Sequence, residues 1–76
     1  MFIYPNPTQD WIYVENTNSN VPISSIRLYD IEGRMIGSWD PDHFKYYLMM
    51  NKYSDGMYFM HILIDGKLIV KKIVKQ

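Results

Sequence analysis

The chain has 76 residues, no formal net charge at neutral pH and no cysteine. Zero net charge argues against nucleic acid as the main partner, because binding to phosphates requires an excess of lysine and arginine. A domain of this size without a disulfide needs a well-formed apolar core, and no apolar run approaches the roughly 18 residues of a membrane span. No signal-peptide pattern opens the chain, so we expect either a cytoplasmic protein or a piece excised from a longer one.

The first third of the sequence predicts two short strands separated by a proline-containing turn. Residues 2–4 lead into Pro5-Asn6-Pro7-Thr8, in which the two prolines impose an extended path followed by a turn and remove two backbone donors. In residues 11–14 aliphatic and aromatic side chains alternate, as expected for a strand with two different faces. The polar residues 16–20 predict a loop.

The middle of the sequence predicts a hairpin and a further strand. Residues 23–29 alternate between apolar and polar, Glu32-Gly33 supplies a tight turn, and residues 34–37 run back. Residues 39–43 are predicted to form a loop, because Pro41 prevents the continuation of a strand. Residues 44–50 are compatible with a helical turn or a strand, and the alternation of Leu48 and Met50 favours a strand over residues 47–50.

The last third predicts a β-hairpin. Asp65-Gly66 is the positive-φ pair that a two-residue type I′ turn requires, and both flanking runs are rich in β-branched and aromatic residues. We expect the apolar row of the first strand to point inward. The turn predicts that this row pairs across the hairpin as Tyr58 with Ile73, Met60 with Lys71, Ile62 with Ile69 and Ile64 with Lys67. A one-residue slip or a bulge would exchange the faces of the last strand, so its register stays open.

Six or seven short strands with turn signals at regular spacing are typical of an all-β sandwich and not of a parallel-sheet fold. The sequence contains few residues in patterns that would indicate a catalytic or metal-binding site. The sequence has no Gly-x-Ser-x-Gly motif and no cysteine nucleophile, and Asp40, Asp42 and His43 lack the spacing of a calcium loop. We therefore expect no enzyme, no catalytic residue, no cofactor and no metal site.

The aromatic residues leave one alternative function open. Trp11, Tyr13 and Trp39 are candidates for a sugar-stacking platform, as in a small carbohydrate-binding or adhesive module. That alternative predicts an exposed planar row of these rings. Aromatic residues in so small a sandwich are otherwise expected to belong to the core.

Three pieces of the sequence, taken in order, resemble a known family. Tyr4-Pro5-Asn6-Pro7 precedes a strand, and residues 26–36, which include Tyr-Asp-x-x-Gly-Arg, form the middle piece. Asp55-Gly56-Met57-Tyr58 then leads to a Gly66 turn and to Lys71-Lys72-Ile73-Val74-Lys75 at the end. In this order and spacing they resemble the type A C-terminal sorting domain of the type IX (Por) secretion system of Bacteroidetes. The resemblance covers essentially the whole chain. Tyr53 is a departure, because an aliphatic residue is usual there.

The resemblance implies an immunoglobulin-like antiparallel β-sandwich that acts as an address label. Residues 1–76 would be a sorting domain excised from a longer exported protein, in which a cargo domain precedes it. The partners implied are the outer-membrane type IX translocon, its sortase and that cargo domain. The cargo would pass through the periplasm and, after sortase removal of the label, reach the cell surface or the medium.

The resemblance also assigns residues by position. Those expected to be mainly structural are Pro5, Asn6, Pro7, Gly33, Gly56 and Tyr58. Those expected to be recognised by the translocon are the basic residues Lys71, Lys72 and Lys75. The competing interpretation of the lysines is structural, since solvated lysines on an edge strand prevent edge-to-edge aggregation. An edge strand that carries lysines can equally accept an added strand from a partner.

Overall fold

The computed structural model describes all residues, 1–76, and is built from strands, turns and loops. The strands are β1 (Phe2–Tyr4), β2 (Trp11–Glu15), β3 (Ser25–Tyr29), β4 (Met35–Trp39), β5 (Lys45–Met49), β6 (Gly56–Ile64) and β7 (Lys67–Lys75). None of its segments is a helix that could cross a membrane.

The strands form two antiparallel sheets. One has the order β1-β2-β5 and the other the order β4-β3-β6-β7. β4 pairs with β3 in the four-stranded sheet, which is the place of the C′ strand in immunoglobulin-like sandwiches of the variable type. The all-β sandwich expected from the sequence is confirmed, and it places β7 at one end of the larger sheet.

The core consists of one cluster of apolar side chains between the two sheets. The strands contribute alternate residues, because successive side chains of a strand point to opposite faces. Its twelve members are Ile12, Val14, Ile23, Ile26, Leu28, Leu48, Met50, Tyr58, Met60, Ile62, Ile64 and Ile73. The predicted inward row of the last hairpin, from Tyr58 to Ile64, is therefore confirmed.

Two predictions about the middle of the chain need correction. The strand near residue 47 is confirmed, but it runs from Lys45 to Met49, so the helical alternative was wrong. Trp39 was predicted in a loop and instead ends β4. Its indole ring lies over Gly37, where an added Cβ would come within 2.2 Å of a ring carbon. Gly37 thus leaves space for the ring. The strand reaches Trp39 because this residue still pairs with Ile26 of β3, two positions before Pro41.

Candidate recognition site at the last strand

The last hairpin has the register that its turn predicts. Asp65 and Gly66 both have positive φ, at 51° and 73°, as a type I′ turn requires. Pairing continues without a shift from Ile64–Lys67 at the turn to Gly56–Lys75 at the far end. The register that the sequence left open is therefore the direct one, without a slip or a bulge. Its regular alternation decides which backbone groups of β7 face β6 and which face away.

The outer edge of β7 is covered along its C-terminal half by residues near the start of the chain. The Asn6 side chain replaces a strand there, since its Nδ2 donates to the Lys72 carbonyl oxygen (2.9 Å) and its Oδ1 accepts from the Val74 N–H (3.0 Å). The Thr8 N–H donates to the Val74 carbonyl (2.8 Å), and the Gln76 N–H donates to the Thr8 carbonyl (2.8 Å). We call residues 72–76 of this edge the covered segment.

Thr8 was not singled out from the sequence, although it is the one buried polar residue. Its hydroxyl donates to the Trp11 carbonyl oxygen, which ties the turn to the start of β2. Pro5 and Pro7 are exposed on either side of Asn6. Neither proline has a backbone N–H to donate. The side-chain amide of Asn6 instead supplies the donor and the acceptor that pair with Lys72 and Val74 of β7. The observed contacts of this motif lie within the domain itself.

The N-terminal half of the same edge is open. In a strand the N–H and C=O of one residue point to the same edge and alternate from residue to residue. Since Val74 directs both groups outward, Leu68 and Val70 do so too. No hydrogen bond outside the strand ladders involves either residue. We call residues 67–71 of this edge the open segment.

The structure does not gather the three predicted recognition lysines on one surface. Lys71 and Lys75 project to one side of β7 and Lys72 to the other, because side chains alternate along a strand. Lys71 and Lys72 are exposed and make no ion pair. The Lys75 side chain is only 12% exposed, and its Nζ lies 3.2 Å from Asp55 Oδ1. Lys75 thus joins the end of β7 to the loop before β6.

The motif residues at the other end of the hairpin have structural contacts. Gly56 has a φ of 149°, a conformation that other residues rarely adopt, and it opens β6. The ring of Tyr58 is buried and its hydroxyl donates to the Ser54 carbonyl oxygen. This contact resembles the tyrosine corner of immunoglobulin-like sandwiches, in which a tyrosine hydroxyl bonds to backbone a few residues upstream.

The third motif glycine, Gly33, lies in the turn between β3 and β4. It has a φ of 85°, and its N–H donates to the Asp30 carbonyl oxygen. The Asp30 carboxylate accepts from the N–H groups of Arg34 and Glu32 and from Arg34 Nε. These hydrogen bonds, that of the Arg34 N–H above all, hold the pKa of Asp30 below its ordinary value. The sequence placed Asp30 in the middle motif but did not indicate its role, which is to accept the hydrogen bonds that hold this turn.

The exposed aromatic residues lie on the outer face of the three-stranded sheet. Trp11 is 47% exposed, and its ring meets that of Tyr47 at 90°. The Tyr13 ring is tilted by 40° from Tyr47, and its hydroxyl donates to Glu15, which raises the pKa of Tyr13 to about 12. Trp39 lies in the other sheet against the core. The rings thus do not form the planar row that a carbohydrate-binding module predicts.

Comparison with known proteins adds one finding. A family model described as a secretion system C-terminal sorting domain matches residues 2–76. No curated protein matches the chain. The family match includes the proline turn, the Gly33 turn and the whole of the last hairpin, so it covers every element of the geometry described above.

Proposed function

Since this chain belongs to the family of secretion system C-terminal sorting domains, we propose that β7 presents the surface by which the type IX translocon recognises it. The family resemblance seen in the sequence is confirmed. The domain is the C-terminal sorting signal for type IX secretion, and it implies a cargo on its N-terminal side and export to the cell surface or beyond. A sorting domain is not known as an enzyme.

The finer steps of the pathway belong to the same proposal. Residues 1–76 act as one sorting domain of a longer exported protein, behind its cargo. The whole protein crosses the periplasm before the outer-membrane translocon binds the domain, and a sortase then removes it. The domain itself supplies a folded surface and carries out no chemical step.

The proposal about β7 is supported by the way its lysines are displayed. Lys71 and Lys72 are exposed, unpaired, and adjacent to backbone groups that lack partners. They offer positive charge on both sides of one strand, together with an unpaired edge that a binding strand can use. We assign Lys75 to the fold instead, because its side chain is largely covered and its ammonium group already contacts Asp55.

The proposal is tested by export of a reporter. The chain is fused behind a signal peptide and a fluorescent protein in a Bacteroidetes host with and without a working type IX system. We expect fluorescence on the surface or in the medium only in the competent host, and its loss when residues 67–76 are deleted. Export that survives this deletion would contradict recognition through the last strand.

A milder pair of variants separates recognition from folding. Lys71→Gln with Lys72→Gln removes two exposed charges from β7, and Lys45→Gln with Lys52→Gln removes two exposed lysine charges elsewhere. The β7 variant should unfold at the same temperature as the wild type, since surface substitutions of this kind change stability by less than about 0.5 kcal/mol. The control should be the less stable of the two, because Lys45 and Lys52 each lie over an aromatic ring, that of Phe44 and that of Tyr53. We expect reduced export of the β7 variant alone. Equal export of the two variants would leave the lysines with a structural role.

A further inference from the structure

The covered and open segments of β7 differ in what they offer to a partner. In the covered segment Asn6 and Thr8 satisfy the Lys72 carbonyl and both outward groups of Val74, and the Lys72 N–H is the one outward group of β7 there without a partner. In the open segment the outward groups of Leu68 and Val70 have no hydrogen-bond partner, and these side chains are 58% and 50% exposed. Along the edge of β7, an added strand therefore finds a run of unpaired backbone groups beside residues 67–71.

The charges around the open segment define the chemistry of such a strand. Lys67, Lys71 and Lys72 are exposed and take part in none of the four ion pairs of the structure. The exposed Asp65 in the adjacent turn offsets one of these charges. Lys67 and Lys71 project to one side of the strand, whereas the apolar Leu68 and Val70 project to the other. Ile69 lies between the two lysines on their side, at the margin of the core, and Lys72 follows Val70 on the other side. The exposed side chains of the open segment are thus basic on one side and apolar on the other.

We propose that the open segment binds an extended segment of a partner protein in which acidic and apolar residues alternate. The segment adds as a further strand next to β7. Its acidic residues lie opposite Lys67 and Lys71, and its apolar residues lie opposite Leu68 and Val70. This inference rests on the proposed function in taking the partner to be a component of the export machinery, but the binding itself is measured without that machinery.

The binding test uses the full chain and two synthetic peptides about six residues long, the usual length of a strand. One alternates Glu with Val, and the other alternates Lys with Val. In the free chain the Leu68 and Val70 amide protons should exchange rapidly, whereas that of Val74 is protected by Asn6. The Glu peptide should slow exchange at Leu68 and Val70. The Lys peptide should bind about tenfold more weakly, because it places like charges opposite Lys67 and Lys71.

Two sets of variants make the test specific. Val70→Pro removes an outward N–H without breaking the ladder with β6, and Val70→Thr keeps that N–H, so only the proline variant should lose binding. In the double variant Lys67→Glu with Lys71→Glu the preference should reverse toward the Lys peptide. This reversal is a gain of binding that an unfolded protein would not show.

Three results of the binding test would overturn the inference: equal binding of both peptides, equal binding of Val70→Pro and Val70→Thr, or protection of Leu68 and Val70 that appears without peptide as the protein is concentrated. The last result would identify a second copy of the chain as the occupant. The two Val70 variants are also fused to the export reporter. Normal export of Val70→Pro would overturn the inference while leaving the sorting function intact, whereas failure of the wild-type chain to direct export would count against the proposed function alone.

Discussion

The two halves of the last strand share one sheet and one register, but they differ in whether their outward backbone groups have hydrogen-bond partners. Beside residues 72–76, an asparagine side chain and a threonine backbone take the place of a neighbouring strand. Beside residues 67–71, the backbone groups of Leu68 and Val70 are left unpaired and lysines flank them. An unpaired edge invites association with other strands, and natural sheets usually protect it with cover or with charge. In β7 the edge beside residues 72–76 is covered by Asn6 and Thr8, whereas the edge beside residues 67–71 is protected only by the charge of its lysines.

This difference indicates a division of labour within β7. The covered segment joins the end of the chain to its beginning and includes Ile73, the one residue of β7 in the core cluster. The open segment contributes only Ile69 to the margin of that cluster. We therefore expect changes in the covered segment to affect stability and changes in the open segment to affect recognition.

The largest effect should come from shortening the buried side chain of the covered segment. Ile73→Ala should lower the free energy of unfolding by about 2–5 kcal/mol, because it removes buried methyl groups and leaves a cavity. The matched change Ile69→Ala, at a half-buried position, should cost clearly less. Urea unfolding of both variants measures the difference. Equal losses would mean that the two halves contribute alike to the fold.

A smaller effect is expected from removing the cover itself. Asn6→Ala deletes two hydrogen bonds, each with a net contribution of about 0.5–1.5 kcal/mol, and exposes the edge near Val74. Hydrogen exchange should show faster exchange of the Val74 amide with little change at Lys71, whose N–H faces β6. Asn6→Asp is the control, since it keeps an acceptor for the Val74 N–H but replaces the donor to the Lys72 carbonyl with a carboxylate oxygen that repels it. A Val74 amide that stays protected in Asn6→Ala would show that Asn6 does not cover the edge.

The same two halves show what can be predicted from the sequence. The type I′ turn and the inward row of the last hairpin followed from Asp65-Gly66 and the alternation of its first strand, whereas the register of the last strand stayed open, because a slip or a bulge would exchange its faces. The cover provided by Asn6 could not be predicted. Asn6 is separated in sequence by 66 positions from Lys72 and by 68 from Val74, and no local pattern marks such distant contacts. The role of Lys75 could not be predicted either. In the sequence it is one of three similar lysines, and only the structure places Asp55 beside it.

Acid should lower the stability contributed by the turn between β3 and β4, but not that contributed by Asn6 at the edge of β7. The hydrogen bonds to Asp30 lower its pKa, so its contribution to stability is present above the unfolded value of about 3.9 and is lost as the pH falls through the folded value. The Asp30→Asn variant should therefore be less stable than the wild type at neutral pH, and the difference should shrink below about pH 4. Urea unfolding over this range measures it.

The covered segment supplies the control for this experiment. Asn6 does not titrate, so the difference between the wild type and Asn6→Ala should be the same at neutral and at acid pH. A difference for Asp30→Asn that is equally constant would show that the turn between β3 and β4 does not depend on the charge of Asp30.

The smallest effect concerns Tyr53, which lies near Tyr58 at the covered end of the hairpin, with ring centroids 6.0 Å apart. Its hydroxyl is buried and has no hydrogen-bond partner, whereas that of Tyr58 donates to Ser54. A buried donor without a partner costs about 1 kcal/mol or more, so Tyr53→Phe should raise the free energy of unfolding by up to about that amount. Tyr58→Phe should lower it, because that change leaves the Ser54 carbonyl without its donor. Opposite signs for the two variants in urea unfolding would show that the Tyr53 hydroxyl is an unfavourable group at this end of the hairpin. A loss of stability in Tyr53→Phe would mean that this hydroxyl is satisfied by water.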